Sequence, residues 1–433
     1  MEGLLKIGST VTSQSGVTYK VLKLLGAGGQ GEVYEVEASN QSVHHALKWY
    51  FKNTASAYQK KVLENLIAKG EPDSTFLWPQ DMVIHNANSY GYVMPLRPPE
   101  YKSIVDLMKR RAEPSFYSLC RAAYMLTQGY QKLHSMGFSY RDISFGNLFF
   151  NPNNGDVLIC DNDNVAANDS VCSIYGTPRF MAPEIVNGQA KPSRNTDLFS
   201  LAVLLFYMFM LNHPLEGKLE ADIKCMDVAA MNQLYGKDPV FIFDPTDKRN
   251  RPVPGYQDNA TIYWELYPLK LREMFVKSFT IGLKQPARRV TENEWLDEFA
   301  NLMTGIIPCP KCLAEVFFDE DKQAKGVSHI CWRCQTQVQP PISIVIGKSR
   351  VLLNTNAKLY AHDTNGNYDM QTITGSLVQN PNNPNLWGIR NDSSENWTYI
   401  KTDNTQVPIA PGKSALIAKG TKINFGQTIG EFE

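Results

Sequence analysis

Asp142 and Asn147 are the residues whose types and spacing say most about chemistry, in Tyr140-Arg141-Asp142-Ile143-Ser144-Phe145-Gly146-Asn147. A carboxylate in such a loop can orient an attacking hydroxyl and accept its proton. An amide oxygen five residues on can hold magnesium on a phosphate. Taken alone, the octet also fits an ordinary Asp/Asn-rich turn. The groups before and after it separate the two readings.

Downstream, Val157-Leu158-Ile159-Cys160 reads as a short buried strand delivering Asp161-Asn162-Asp163. Carboxylates at the end of a strand in a cleft are good magnesium ligands, although the triplet by itself fits a polar turn equally well. Upstream, Gly26-Ala27-Gly28-Gly29-Gln30-Gly31 lies between two strand-like runs, Tyr19 to Leu25 and Glu32 to Glu37. A dinucleotide-binding loop opens a helix, whereas this one opens a second strand. A glycine hairpin of that kind can lie over a triphosphate, its amides close because no side chains intervene. A flexible hairpin is the alternative. A third strand, His45 to Phe51, carries Lys48, and Glu64 is the only carboxylate between Lys48 and Gly70. Glu64 falls in Tyr58 to Ala68, where Val62, Leu63, Leu66 and Ile67 give an amphipathic helical pattern. A Lys48–Glu64 pair would hold the ammonium against the α- and β-phosphates.

A second constellation is made of sulfur. Cys309-Pro310-Lys311-Cys312 and Cys331-Trp332-Arg333-Cys334 are two C-x-x-C knuckles separated by 18 residues. This is the pattern of a tetrahedral four-thiolate zinc, a closed structural site with no open position for catalysis. His329 is expected to be a bystander. So short a stretch cannot fold on its own apolar core, and structural zinc supplies about 10–16 kcal/mol in comparable peptides.

These groups need a large, mixed scaffold. The 433 residues suggest about three domains, and Lys plus Arg (43) balances Asp plus Glu (43). With no basic block, nucleic acid and anionic membrane are not expected as main partners. Met1 to Gly8 has no signal-peptide character. The most apolar run, Leu198 to Leu211, is shorter than the roughly 20 residues a bilayer needs, so a buried core helix is expected. The eight cysteines, four of them scattered (Cys120, Cys160, Cys172, Cys225), suit a reducing cytosol better than a disulfide framework. Pro95, Pro98 and Pro99 mark a connector, after which Ser103 to Met136 reads as mostly helical.

Glycine loop, strand lysine, helix glutamate, Asp142 loop and Asp161 come in an order that resembles the eukaryotic-type protein kinases. Gly176-Thr177-Pro178-Arg179-Phe180-Met181-Ala182-Pro183-Glu184 and Thr196-Asp197-Leu198 extend the resemblance, which spans about residues 19 to 303. The family implies ATP and magnesium as cofactors and a protein substrate. Asp142 would be the catalytic base, with Lys48, Asn147 and Asp161 completing the catalytic set. Asn147 and Asp161 would hold magnesium. Gly26, Ala27, Gly28, Gly29, Gly31 and Val33 would cover the nucleotide, Lys48 would pair with Glu64, and the hinge near Met94 to Leu96 would meet adenine. Glu184 would pair with Arg289, and Asp197 would anchor the catalytic loop. An Arg141 beside the base often receives an activating phosphate, and Ser170, Ser173, Tyr175 and Thr177 are the nearby acceptors.

Four positions depart from the family pattern. Tyr140 replaces a histidine, and Ser144 stands where serine/threonine kinases usually carry a lysine. Asn162-Asp163 replaces Phe-Gly, and Asp163 is a second candidate for the metal, as in Asp-x-Glu/Asp small-molecule kinases. These departures support an alternative, a nucleotide-binding pseudokinase scaffold with little or no phosphotransfer.

After the zinc ribbon, short strand-like runs separated by Asn365-Gly366, Pro381-Asn382-Asn383-Pro384 and Pro411-Gly412 predict an all-β sandwich. Gly388-Ile389-Arg390-Asn391, Trp397 and Gly420 to Gly426 resemble a forkhead-associated domain, although the Ser-x-x-His phosphothreonine signature is absent around His362. The expected organisation is α+β. A bilobal kinase fold fills 1–303 (lobes about 1–96 and 97–303), followed by a zinc ribbon at 304–338 and a sandwich at 339–433. This order, with Asp161-Asn162-Asp163-Asn164, resembles a bacterial kinase group encoded beside a von Willebrand-type protein and a metal-dependent phosphatase in tellurite-resistance-like clusters. That implies a cytoplasmic serine/threonine kinase of a signalling or stress-response module.

Overall fold

A computed structural model describes residues 3–39, 43–86, 89–167, 175–354 and 357–433. Two compact units divide the chain: Met1–Glu113 with Met125–Gln257 and Val276–Val290, and Pro114–Tyr124 with Asp258–Phe275 and Thr291–Glu433.

The first unit begins with an antiparallel sheet of strands β1 (Thr10–Thr12), β2 (Thr18–Ala27), β3 (Gly31–Ala38), β4 (His44–Tyr50), β5 (Asp81–Asn86) and β6 (Ser89–Pro95), in the order β1-β2-β3-β4-β6-β5. Alternation gives it two buried faces. Val21, Tyr34, Val36 and Leu47 pack on one, and Tyr50, Met82, Tyr90 and Tyr92 pack on the other with Leu63 of helix α1 (Ala57–Lys69). The Ser56 side chain caps α1 by accepting the Gln59 N–H, and Gly70 ends it with φ 78.

A small sheet of Lys102–Ser103, Leu148–Phe150 and Val157–Ile159 carries the Asp142 loop on one side and Asp161 on the other. The apolar run lies in the helix Arg194–Met210, buried from Thr196 to Met210. Among the described residues no helix is long and apolar enough to cross a membrane. The helical stretch expected from Ser103 to Met136 is in fact two helices, Ile104–Met108 and Phe116–Ser135. The second begins just after Pro114, which cannot donate to a preceding turn.

The second unit gathers the start of the helix Phe116–Ser135, the helices Asp258–Leu266 and Glu292–Thr304, two short hairpins and a sandwich. Phe116, Tyr267, Phe317 and Trp332 form one aromatic cluster, with Phe116 5.0 Å from Phe317 and 6.0 Å from Trp332 between ring centres. The sandwich has a six-stranded and a four-stranded antiparallel sheet closing on Ile344, Leu359, Ile389, Trp397 and Phe432. It is not wholly β: Ala361–Asn365 forms one turn of helix, ended by Gly366 at φ 65. Asp363 accepts the Tyr360 N–H there, so a short acidic N-terminal turn wins over a strand.

Candidate active site

The loop Tyr140 to Asn147 is set from beneath by Asp197, near the start of the buried helix. Asp197 accepts the Tyr140 N–H at 2.6 Å on one oxygen and the Arg141 N–H at 3.0 Å on the other. His134 Nε2 lies 3.1 Å from the same carboxylate. Arg141 is thereby held in the left-handed region, φ 75, which an L-residue seldom adopts. The next residue, Asp142, is half-buried. Its Oδ1 accepts the Thr177 hydroxyl at 2.8 Å, and Asn147 Nδ2 donates to the Asp142 carbonyl at 2.7 Å. Asn147 is therefore turned with its amide oxygen away from Asp142.

Tyr140 donates its hydroxyl to the Cys160 carbonyl and packs edge-on against Tyr130, a buried packing role in place of histidine. Ser144 is 7 % exposed, so the side chain at this position lies within the fold rather than out in the cleft. Arg141 also donates to the Ala167 carbonyl at 2.9 Å. Of the acceptors considered for it, Tyr175 is exposed and Thr177 is engaged with Asp142. Ser170 and Ser173, like Cys172, lie outside the described residues.

Asp161 follows the strand Val157–Ile159 with φ 52 and ψ 45. Short polar side chains tolerate that conformation best, and such backbone strain gathers at functional sites. Its side chain remains 44 % accessible, open to a cation. Its carboxyl is held above the ordinary range by its recessed position. Lys48 opposes that effect, while Asp163 and Asp142 add to it. Asp161 and the free oxygen of Asn147 fit a hard, oxygen-seeking cation such as magnesium.

Lys48, on β4 opposite Val33 of β3, is 4 % exposed. Burial alone would lower its ammonium, but Asp163 and Asp161 more than offset this and raise it. Nζ lies 2.8 and 3.1 Å from the two oxygens of Asp163, 3.3 Å from Asp161 and 2.9 Å from the side-chain oxygen of Gln30.

The expected Lys48–Glu64 pair is not formed. Glu64 is exposed, because α1 turns Leu63 and Leu66 inward and one residue's step of about 100° carries Glu64 off that face. What α1 offers is Gln59, which donates to the Asp163 carbonyl at 2.8 Å. Asp163 itself is fully buried and held by Lys48 and the Tyr50 hydroxyl, so it is not placed to share in binding a metal.

Four expected glycine-loop residues, Gly26, Ala27, Gly28 and Gly29, sit at the end of β2 or in the turn after it, and a Cβ on any of the three glycines would meet open space. Gly31 differs: a Cβ there would collide with the Trp49 carbonyl, so close strand pairing with β4 demands it. Between them Gln30 folds inward, donating to Asn164 at 3.1 Å as well as accepting from Lys48. Met94 pairs with Ala46 in the sheet, and Leu96 follows the end of β6.

The residue pattern alone missed Gln30, Tyr50 and Gln59, and it named Thr177 as a phosphate acceptor, not as the partner of Asp142. A polar residue at the tip of the glycine turn was the one available signal.

A family model described as a protein kinase domain matches residues 19–263. The chain belongs to the protein kinase family. Kinase relatives include protein kinase C delta type of Mus musculus, 26 % identical over 50 % of this chain and 32 % of its own length. Protein kinase C-like 1 of Candida albicans is 28 % identical over 47 % of this chain and 19 % of its own. A probable serine/threonine-protein kinase, CCRP1 of Zea mays, is 28 % identical over 49 % and 34 %. The chain thus spans 19 to 34 % of the length of these relatives. The Glu184–Arg289 pair that the resemblance implied is formed: Arg289 meets Glu184 through two bonds of 2.7 and 2.8 Å, and also donates to the carbonyls of Asn195 and Gly282.

In the second unit, the thiols of Cys309, Cys312, Cys331 and Cys334 all lie within 4.8 Å of one another. Cys309 and Cys334 sulfurs are 3.5 Å apart, and Cys312 and Cys331 sulfurs 3.6 Å. A disulfide needs about 2.05 Å. Four metal–sulfur bonds of about 2.3 Å in a tetrahedron give edges of about 3.8 Å. The donor set therefore fits zinc. The Thr336 hydroxyl, 3.3 Å from Cys334, and the Thr336 amide lower that thiol, whereas Cys312, despite the Ala314 amide, is pushed up by burial and the neighbouring thiols. His329 accepts the Asp319 N–H at 2.9 Å and stacks on Phe318, apart from the sulfurs.

Proposed function

We propose that this chain is an ATP- and magnesium-dependent protein kinase that transfers the γ-phosphate to serine or threonine hydroxyls of proteins. The observation that carries this reading is the catalytic loop. Asp197 fixes the loop, and Asp142 within it is aimed by Thr177 and Asn147. Asp142 orients the acceptor hydroxyl and takes its proton. Lys48 offers its ammonium to the nucleotide phosphates, beneath a glycine turn with room above it. Asn147 and Asp161 would hold magnesium, which neutralises phosphate charge when bound. Most of the rate then comes from placement and fixed charge rather than covalent chemistry. The Gly176 to Glu184 segment, tied down through Glu184 and Arg289, favours a peptide over a small-molecule acceptor.

The presence of Lys48, Asp142, Asn147 and Asp161 together counts against the scaffold alternative. Radiolabelled ATP with the purified chain and a generic protein acceptor tests the reading. Asp142→Ala should lower transfer by about 10²–10⁴-fold; equal labelling of both proteins refutes it.

The four cysteines are proposed to bind a structural zinc, and the forkhead-associated-like sandwich to dock proteins. His362 is buried, with Nδ1 2.7 Å from the Asn367 carbonyl, which does not favour phosphothreonine reading there. The gene-cluster resemblance names a von Willebrand-type protein and a metal-dependent phosphatase as partners to test by pull-down.

A further inference from the structure

Lys48 and Asp163 make a deeply buried ion pair at the site, with side chains 5 % and 0 % accessible. Three further contacts fix the acid. Tyr50 donates its hydroxyl to one carboxylate oxygen, and burial together with the Asp163 charge keeps that phenol protonated. Gln59 of α1 donates to the Asp163 backbone carbonyl. Asn162 anchors the turn from the other side, its amide donating to the carbonyls of Leu77 at 2.9 Å and Ile159 at 3.0 Å. The turn is therefore pinned on both sides of Asp163, and the nearby helix carboxylate points to solvent.

We propose that Asp163 is the positioning residue for Lys48. The phosphate-binding lysine is aimed by the turn that carries Asp161, and not by a carboxylate on α1. The inference rests on the kinase reading, since it assigns the lysine's task.

Its chemistry follows from counting the protons on Nζ. Two point at Asp163 and Asp161, both charged acceptors. The third faces the neutral amide oxygen of Gln30, the weakest of the three partners. A phosphate oxygen that displaces Gln30 therefore meets an ammonium already held in place. A shift of α1 would leave that aim intact so long as the turn holds.

The test compares Asp163→Asn, Glu64→Gln and Asp163→Glu in the full chain. Phosphotransfer and ATP–magnesium affinity by calorimetry are both measured. Asp163→Asn should cut kcat/KM for ATP about 100-fold, the scale of loss for a misplaced catalytic group. Glu64→Gln should stay within about twofold of the parent, as surface changes do. Asp163→Glu, which keeps the charge one methylene further out, should retain at least about tenfold more activity than Asp163→Asn, since an opposite charge still aims the lysine. A purely structural role would be disturbed at least as much by the larger side chain.

If Asp163→Asn misfolds, Tyr50→Phe, which frees one carboxylate oxygen, should give a smaller loss of the same kind. Equal losses for Glu64→Gln and Asp163→Asn, or near-parental activity for both Asp163→Asn and Tyr50→Phe, would overturn the proposal. Absence of transfer by the parent chain itself would instead count against the kinase reading. The calorimetric ranking of the same variants would then still decide what positions Lys48.

Discussion

Asp197→Asn changes one atom and removes the charge that holds the catalytic loop. The carboxylate accepts two buried backbone N–H groups, at 2.6 and 3.0 Å, and sits beside His134. An asparagine keeps one acceptor oxygen and turns an NH₂ toward the other donor. One buried N–H is then left unsatisfied, costing about 1–3 kcal/mol, and the remaining bond loses its charge assistance, about 1 kcal/mol more. The expected destabilisation is about 2–4 kcal/mol, within the 5–15 kcal/mol of a typical domain, so most of the protein stays folded. Arg141 at φ 75 carries a strain of about 1–2 kcal/mol that the lost bond had been opposing. Relaxing it rotates the peptide leading into Asp142. Catalysis should therefore fall by about 10²-fold in kcat. Affinity for ATP should change less than kcat, because Lys48 and Asp161 lie off this loop and only Asn147 lies on it. Urea denaturation followed by tryptophan fluorescence, alongside steady-state transfer kinetics, measures both. A variant destabilised as calculated yet within threefold of the parental kcat would refute the link from Asp197 through Arg141 to the base.

Two further outcomes are expected. Glu298, 2 % exposed, is raised to about 7 by burial despite Lys270 at 3.2 Å. A carboxyl whose folded pKa lies above its unfolded value stabilises most below about 4.5 and loses that contribution as pH rises to about 7, here about 3 kcal/mol. Glu298→Gln should flatten the stability profile between pH 4.5 and 7 in thermal melts; an unchanged slope would show that Glu298 does not set it. Purified protein should contain zinc, and Cys309→Ser or a strong chelator should remove it and raise amide exchange across residues 306–338. Metal-free protein with that segment still protected would rule the site out.

The candidate loop was legible because its geometry is local: Asp142 and Asn147 fall within one turn, joined at 2.7 Å, so spacing carries the signal. Strands β2 to β4 and helix α1 also followed from periodicity. The facing of α1 did not. Val62, Leu63, Leu66 and Ile67 define a stripe too broad to tell whether Glu64 borders it or turns away, and only Leu63 and Leu66 are buried. Lys48 takes its partner from 115 residues away, a pairing that no local pattern encodes. Gln30 escaped notice for a related reason. A glycine-rich turn reads as backbone space, and its one long side chain reaches across to Asn164, 134 residues on. The strand Lys358–Tyr360 leads into a helical turn because Asp363 caps it, a single hydrogen bond that outweighs the surrounding β pattern.

Kinase-family similarity stops at residue 263, yet Tyr267 and Phe116 share their rings with Phe317 and Trp332. Leu269 likewise gives its N–H to Asp319 at 3.1 Å. Trimming the gene after the last kinase-like helix would strip the cover from these aromatics and leave a sticky, aggregation-prone scar. A fragment that carries Phe116 and Tyr267 therefore calls for keeping the cysteine knuckles attached, since the knuckles cover those rings within the same unit.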